Sequence, residues 1–447
     1  MIRIRRGLDL PIAGAPRQEI ERGPHVHSVA LLGADYPGMK PTLLVEEGER
    51  VARGQPVFED KKLPGVLYTA PGAGVVTAIN RGERRFMQSL VIALEGDAEV
   101  TFQAHTRSAL AKLDRQAVRE QLLRSGEWTA IRTRPFGKVP APDSVPHSIF
   151  VPAIDTNPLA PDPDVVIGEQ LDAFRDGLAV LARLTDGPVW VCRAARSRLP
   201  SFAGGQIREE SFAGPHPAGN PGTHIHFLDP VGPKKTVWVV GYQDVIAFGK
   251  LFTTGRIHSE RVIALAGPLV RDPRLLRTRV GAHVEDLIGG QLKPGESHVV
   301  SGSVFNGRIA RGATGWLGRL HNQVSVLHEG RERRFLGYLS PGLNRHSVLN
   351  IYLSRLMPWK RFEFSASTNG SERAMVPLGQ YEQVMPLDIL ATQLLRALIV
   401  GDTETAQALG ALELVEEDLA LCSYVCVGKY EYGPILRDNL TRIETEG

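Results

Sequence analysis

The stretch LLVEEGERVARGQPVFEDKKLPGVLYTAPGAGVVTAI, residues 43–79, decides how the N-terminal part of the chain folds. Val45, Val51, Val57 and Phe58 recur around Gly48 and Gly54, and Val75, Val76 and Ile79 follow Gly72 and Gly74. Each run has strand-like apolar content and is closed by a glycine turn. Strands this short cannot bury a face alone, so the pieces are expected to wrap into a small β sandwich.

Around this segment the composition narrows the possibilities. A chain of 447 residues suggests about three domains at roughly 150 residues each, and more if they are small. The 43% apolar and 23% charged fractions are those of soluble globular material, and 46 glycines with 31 prolines favour turn-rich β modules over a helical bundle. Three cysteines cannot build a disulfide framework, which points to a reducing compartment. The N-terminal MIRIRRGLDLPIAG lacks the apolar core of a signal peptide. No run reaches the ~20 apolar residues that a bilayer crossing needs. The net charge of +3 hides a polarity: residues 402–447 carry −7, residues 1–62 carry +1 and the middle carries +9. Such a distribution suits docking against a charged surface or of domain on domain. No dense Lys/Arg run is interleaved with aromatics, so nucleic acid is not expected as a partner.

The pattern divides the chain into four parts. After the β module (1–100), Leu110, Leu113, Val118, Leu122 and Leu123 fall at near-helical spacing, and Ser125-Gly126 supplies a stop. Strand-like runs at 148–154, 188–192 and 238–240 alternate with helix-like runs at 168–184 and 245–251, which predicts an α/β layer with a largely parallel sheet over 101–270. Residues 271–340 return to β with one short helix over 284–290 that closes on glycines, and with the run 298–304 this sequence resembles the soluble-ligand-binding β-grasp fold. The rest (341–447) reads as helical, with Leu387, Leu390, Leu394, Leu395 and Leu398 on one face and Gly401 as the cap.

Absent motifs weigh as much as present ones. No G-x-G-x-x-G follows a strand, no Walker A pattern occurs, and no G-x-S-x-G elbow appears. Cys192 lies far from Cys422 and Cys426, so three thiols cannot hold a conventional iron–sulfur cluster. Cys422 and Cys426 read as small buried side chains one helical turn apart. His224 and His226 stand two apart and would share a face of a strand, with His216, Glu209 or Glu210 as a third ligand. That is the weaker alternative to histidines capping turns, and it carries a metal-dependent hydrolase or lyase as its functional reading. His25 and His27 repeat the spacing with less support.

Several longer phrases carry resemblances. The order of glycine turn, Gln55-Pro56-Val57, charged hairpin and 70–76 resembles the biotinyl/lipoyl carrier fold. Asp60-Lys61-Lys62 falls where carriers bear a modified lysine, but Leu63-Pro64-Gly65 breaks the hairpin, so the fold is expected without the prosthetic group. HPAGNPGTHIHFLDPV (216–231), GKLFTTGRI (249–257) and CVGKYEYGPILRDNLTRIETEG (426–447), together with the N-terminal module, resemble the A subunits of Na+-translocating NADH:quinone oxidoreductases over essentially the whole chain. Single domains resemble, more distantly, the flavin-binding member of complex I and its relative in the Rnf complex, RnfC. Where the complex I relative has a glycine-rich FMN loop, residues 134–138 hold one glycine, and residues 372–385 lack its cluster cysteines.

The resemblance therefore implies a subunit with no redox cofactor of its own and no redox activity alone. FAD, FMN, riboflavin and iron–sulfur centres are expected in five partner subunits. The same resemblance implies a peripheral position on the cytoplasmic face of the bacterial inner membrane, against a membrane-embedded subunit, and a part in ubiquinone binding and reduction. A quinone headgroup takes an apolar slot with one or two donors. Two segments offer these groups: residues 34–40 with Tyr36, Met39 and Lys40, and residues 128–138 with Trp128, Arg132, Arg134, Phe136 and Lys138. A cation beside the headgroup would stabilise its anionic, half-reduced form. The alternative is a docking or adaptor subunit of the same complex without a quinone site.

Overall fold

A computed structural model of the chain describes residues 1–331 and 339–446; of the β-grasp segment expected over 271–340, residues 332–338 lie outside the described residues. The N-terminal module is a barrel-sandwich. One sheet runs Ser28–Leu32, Met87–Leu94, Gly74–Arg81, Arg50–Val51, and the other runs Pro41–Leu43, Pro56–Asp60, Leu67–Thr69. Val57, Phe58, Val76, Leu90 and Ile92 are fully buried between them. At Gly74 a Cβ would lie 1.8 Å from the Ala93 carbonyl oxygen, so the strand pair closes only over glycine.

The second domain is the expected α/β layer. Its six strands lie in the order Ile2–Arg3, Ile207–Ala213, Val189–Ala194, Ile149–Ala153, Val237–Val239, Arg132–Arg134. All neighbours are parallel except the last pair, where Arg132 faces Val239 and Arg134 faces Val237. Near-continuous apolar runs such as Ile149, Phe150 and Val151 are what a sheet buried on both faces requires. Helices Leu171–Leu181 and Tyr242–Thr254 cross at two glycines. A Cβ on Gly177 would lie 1.9 Å from the Val245 oxygen, and one on Gly249 1.9 Å from the Ala173 oxygen.

The third sheet has the order Arg308–Ile309, Ser297–Ser301, Gln323–His328, Glu260–Ala266, Arg274–Arg279, Arg17–Arg22. The first residues of the chain thus serve two sheets outside the N-terminal module: Ile2–Arg3 edges the α/β sheet and Arg17–Arg22 edges the β-grasp sheet. These three domains share one apolar core that runs from Val29 and Phe58 through Trp128 and Val245 to Val326. The helical region has its own core of Tyr381, Leu394, Leu398, Leu421, Tyr432 and Leu440. Its helix Ala391–Val400 ends on Gly401 in the left-handed region (φ 72°), as its sequence predicts.

Candidate functional site

Gly126 ends helix Arg115–Ser125 at φ 78° and turns the chain into the short helical turn Glu127–Ala130. That turn drives Trp128 into the core, fully buried, with its indole N–H donated to the Pro140 oxygen at 2.9 Å and its ring edge-on to Trp238 at 5.3 Å. Arg132–Arg134 then forms the sheet edge, and Phe136 and Gly137, at φ 76° and 63°, fold the chain back. The Gly137 N–H reaches the Thr133 oxygen at 3.0 Å and the Thr133 N–H reaches the Lys138 oxygen at 2.8 Å. Lys138 is returned beside the edge strand by this turn.

The other segment meets it there. Tyr36 follows the short turn Gly33–Asp35, is 2% exposed and packs edge-on to Tyr68 at 4.7 Å. The Arg132 guanidinium lies 5.4 Å from the centre of the Tyr36 ring and donates to the Asp35 oxygen at 2.9 Å. It also donates to the Thr129 oxygen at 2.6 Å and the Ile131 oxygen at 2.9 Å. Burial pushes the Tyr36 phenol up to about 12 and lowers the Arg132 guanidinium. A Cβ on Gly38 would lie 2.9 Å from Lys138 Cε and Nζ, so the 36–39 turn sits directly on Lys138. Met39 is half-buried against the main core, Lys40 is exposed, and Lys138 pairs with Glu444 of the last helix.

Arg134 and Phe136 face elsewhere. Arg134 is 3% exposed and bridges Glu417 and Asp418 of the helical region, each at 3.3 Å. Phe136 packs on the helical core, and its carbonyl accepts from Arg437 at 2.6 Å. Of the seven candidate residues, Tyr36, Met39, Arg132 and Lys138 are therefore gathered at one junction. Trp128 supports it from inside, and Arg134 and Phe136 fasten the helical region.

Beneath the junction lies a buried charge network that no spacing in the sequence signals. Asp35 pairs with Arg308 and accepts the Arg319 N–H at 2.8 Å. Arg319 joins Asp244 at 2.5 Å and Glu127 at 3.0 Å, and Arg261 also reaches Asp244. Burial raises the Glu127 carboxyl, whereas Arg261 and Arg319 hold Asp244 below its ordinary range despite its burial. With Arg132, four guanidiniums, one of them (Arg308) 30% exposed, meet Asp35, Glu127 and Asp244 across three domains, and buried Asp60 adds a fourth carboxylate under the 36–40 turn.

The histidines require a correction. Residues 221–228 form a helix, not a strand, with Pro221 in its first turn after Asn220, so His224 and His226 point to different sides. His224 is buried against Phe212 with a ring nitrogen on the Ala218 oxygen at 3.0 Å. His226 accepts the Asp388 N–H at 3.1 Å on Nε2, which leaves the Nδ1 proton to be donated to Glu413 at 2.7 Å. His216 contacts Thr156 at 3.2 Å and stacks on Phe305. Glu209 pairs with Arg193 and Glu210 with the N-terminal amine. Among the described residues, no group of three His, Cys, Asp or Glu side chains is arranged to hold a metal ion.

Cys422 and Cys426 are both buried, and the Cys426 sulfur accepts from the Tyr381 hydroxyl at 3.1 Å. Lys61 and Lys62 are exposed in the turn between Pro56–Asp60 and Leu67–Thr69, with the Lys62 N–H capped by Asp60 at 3.0 Å. An open groove of about 580 Å³ lies at the N-terminal ends of the α/β strands, between His147, Gly187 and Lys235.

Three family descriptions match the chain in succession: the NqrA N-terminal barrel-sandwich hybrid domain over residues 2–95, the NqrA second alpha/beta domain over 113–257, and the NQRA C-terminal domain over 262–312. The A subunit of the Na(+)-translocating NADH-quinone reductase of Alcanivorax borkumensis is 66% identical, covering 100% of both chains. Its namesakes from Cellvibrio japonicus and Pseudomonas aeruginosa are each 63% identical with 100% coverage of both chains. Among solved structures, an NAD+-reducing [NiFe]-hydrogenase aligns over 52% of each chain at 16% identity and a TM-score of 0.34.

Proposed function

The chain belongs to the family of Na+-translocating NADH-quinone reductase A subunits, and on that premise we propose that it is a peripheral subunit of such a reductase and contributes to binding and reducing ubiquinone. The observation that carries this reading is the meeting of the 36–39 turn with buried Arg132 and with Lys138 above a buried charge network. Half-buried Met39 and the stem of Lys138 offer apolar contact, and the ammonium offers a donor. Positive charge fixed in a water-poor surround favours the negative charge that grows on headgroup oxygens during reduction, because the cation needs no reorganisation. Tyr36 stays a neutral phenol at physiological pH, since burial raises it.

The chain's own residues supply position and charge in this reading. Electrons come from flavin and iron–sulfur centres in the partner subunits, and this subunit sits on the cytoplasmic side of the membrane against a membrane-embedded one. The adaptor alternative draws on a different observation: Arg132, Arg134 and Lys138 are each already engaged with protein groups.

Titration of the full chain with a short-chain ubiquinone, followed by heat, separates the two. The quinone reading expects saturable binding that Lys138→Ala and Met39→Ala each weaken several-fold, together with a raised KM for quinone in the assembled reductase. Absence of saturable binding, combined with an unchanged KM in both variants, favours the adaptor.

A further inference from the structure

Between the β-grasp sheet and the helical region the chain makes a loop whose outer surface differs from the rest of the molecule. Residues 343–361 contain one short helical turn, Leu353–Leu356, and are held in shape by their own contacts. Lys360 donates to the Leu343 oxygen at 2.7 Å and to Asn344, which ties the two ends together. Ser354 donates to the Arg345 oxygen at 2.5 Å, and the Arg345 guanidinium lies 5.1 Å from the Tyr352 ring centre. The stretch is anchored just beyond its end, where the Phe362 N–H meets the Pro11 oxygen at 2.8 Å.

The side chains not used in this internal packing point outward, and they are apolar. Leu343, Leu349, Ile351, Leu353, Leu356 and Trp359 are 55%, 62%, 69%, 49%, 67% and 75% exposed. Isolated exposed leucines need no explanation, but six large ones within 19 residues are a surface kept for something. The charges interleaved with them are all of one sign: Arg345, Arg355, Lys360 and Arg361, with no Asp or Glu anywhere in 343–361. Apolar side chains with a tryptophan, ringed by long-stemmed cations and free of acids, match the phosphate and acyl boundary of an anionic bilayer.

We propose that residues 343–361 dock on an anionic phospholipid surface, with Trp359, Leu356 and Ile351 entering the acyl boundary and Arg355 and Arg361 on headgroup phosphates. The proposal rests on the reading that the chain works at a membrane, and it adds a direct lipid contact independent of the other subunits.

The test uses the full chain and vesicles of phosphatidylcholine with or without phosphatidylglycerol. Binding is read by co-sedimentation and by the emission of Trp359. Expected are binding only to the anionic vesicles, a blue shift that Trp359→Phe removes, and release by salt. Arg355→Gln should weaken binding roughly fivefold, and the pair Leu356→Ser with Ile351→Ser by roughly tenfold or more. These positions are exposed, so an unchanged melting temperature confirms that the variants fold. No binding to anionic vesicles, or binding indifferent to the apolar pair, overturns the proposal. If the chain ignores vesicles while the apolar pair blocks assembly of the reductase, the loop covers a partner protein instead, and the reading of the chain as part of the reductase stands without the lipid contact.

Discussion

Arg319 is 8% exposed at its side chain and carries contacts to two carboxylates as deeply buried as itself, Glu127 and Asp244. A buried ion pair is weak evidence of net stability, but removing one member leaves the others uncompensated in a low-dielectric surround. Arg319→Met is therefore expected to destabilise the chain by about 3–5 kcal/mol, read from denaturant unfolding. Lys138→Ala removes a pair whose members are 22% and 32% exposed, and less than about 1 kcal/mol should follow. A loss of similar size in both variants would contradict the network's role. None of this network is legible in the sequence. Arg319 stands 75 and 192 positions from Asp244 and Glu127, and a lone charge in a polar stretch carries no mark of its partner. What is legible is the set of side-chain types: Tyr36, Arg132 and Lys138 are singled out in the sequence as candidates for a quinone site, and the fold brings them together across two domains.

At the scale of elements, local rules read well. Gly126 and Gly401 stop their helices as expected, and the alternation over 148–251 produces a largely parallel sheet. The strand expected at His224 and His226 fails because Asn220-Pro221, an ordinary helix start displayed by the same sequence, overrides the two-residue spacing of the histidines. The crossing of helices Leu171–Leu181 and Tyr242–Thr254 belongs to this scale too. Gly177 and Gly249 let each helix press its backbone on the other's carbonyls, so the spacing is set by the absence of two side chains. Since the obstacle is backbone and not a mobile tip, the helices must part to admit a methyl group. Gly249→Ala should cost about 3 kcal/mol, at the upper end of ordinary overpacking, and Gly168→Ala, with open space at its Cβ, should cost far less. Thermal unfolding of the two variants makes the comparison, and equal effects would show that helix propensity rather than the crossing governs both.

For the molecule as a whole, the separate core of the helical region makes its fastening to the other domains the most sensitive joint. The joint includes Arg134 on Glu417 and Asp418, Arg437 on the Phe136 carbonyl, Lys138 on Glu444, Asn306 on Glu417, and His226 on Glu413. Glu416 is held below its ordinary range by Arg437 despite burial. The Glu417 carboxyl is pushed from 4.5 up to about 7, first by burial and then by Asp418, against the pull of Arg134, and burial raises Asp418 as well. A carboxyl raised on folding binds more protons in the folded than in the unfolded chain, so its contribution is greatest below pH 4.5 and declines up to about 7. His216, His224, His258 and His321, which burial holds neutral far below 6.5, act in the opposite sense over the same window because the unfolded chain binds their protons, so Glu417 is read as a difference between two melting profiles followed by far-ultraviolet circular dichroism. In Glu417→Gln the carboxyl that titrates is gone while Arg134, Glu413, Glu416 and His226 remain, so the difference between the two profiles isolates Glu417. Relative to the variant, the wild type is expected to lose melting temperature as the pH rises from 4.5 to about 7. A difference between the two profiles that stays constant as the pH rises, or that grows in the wild type's favour, would mean that Arg134 holds Glu417 ionised throughout and that the joint is a fixed clasp.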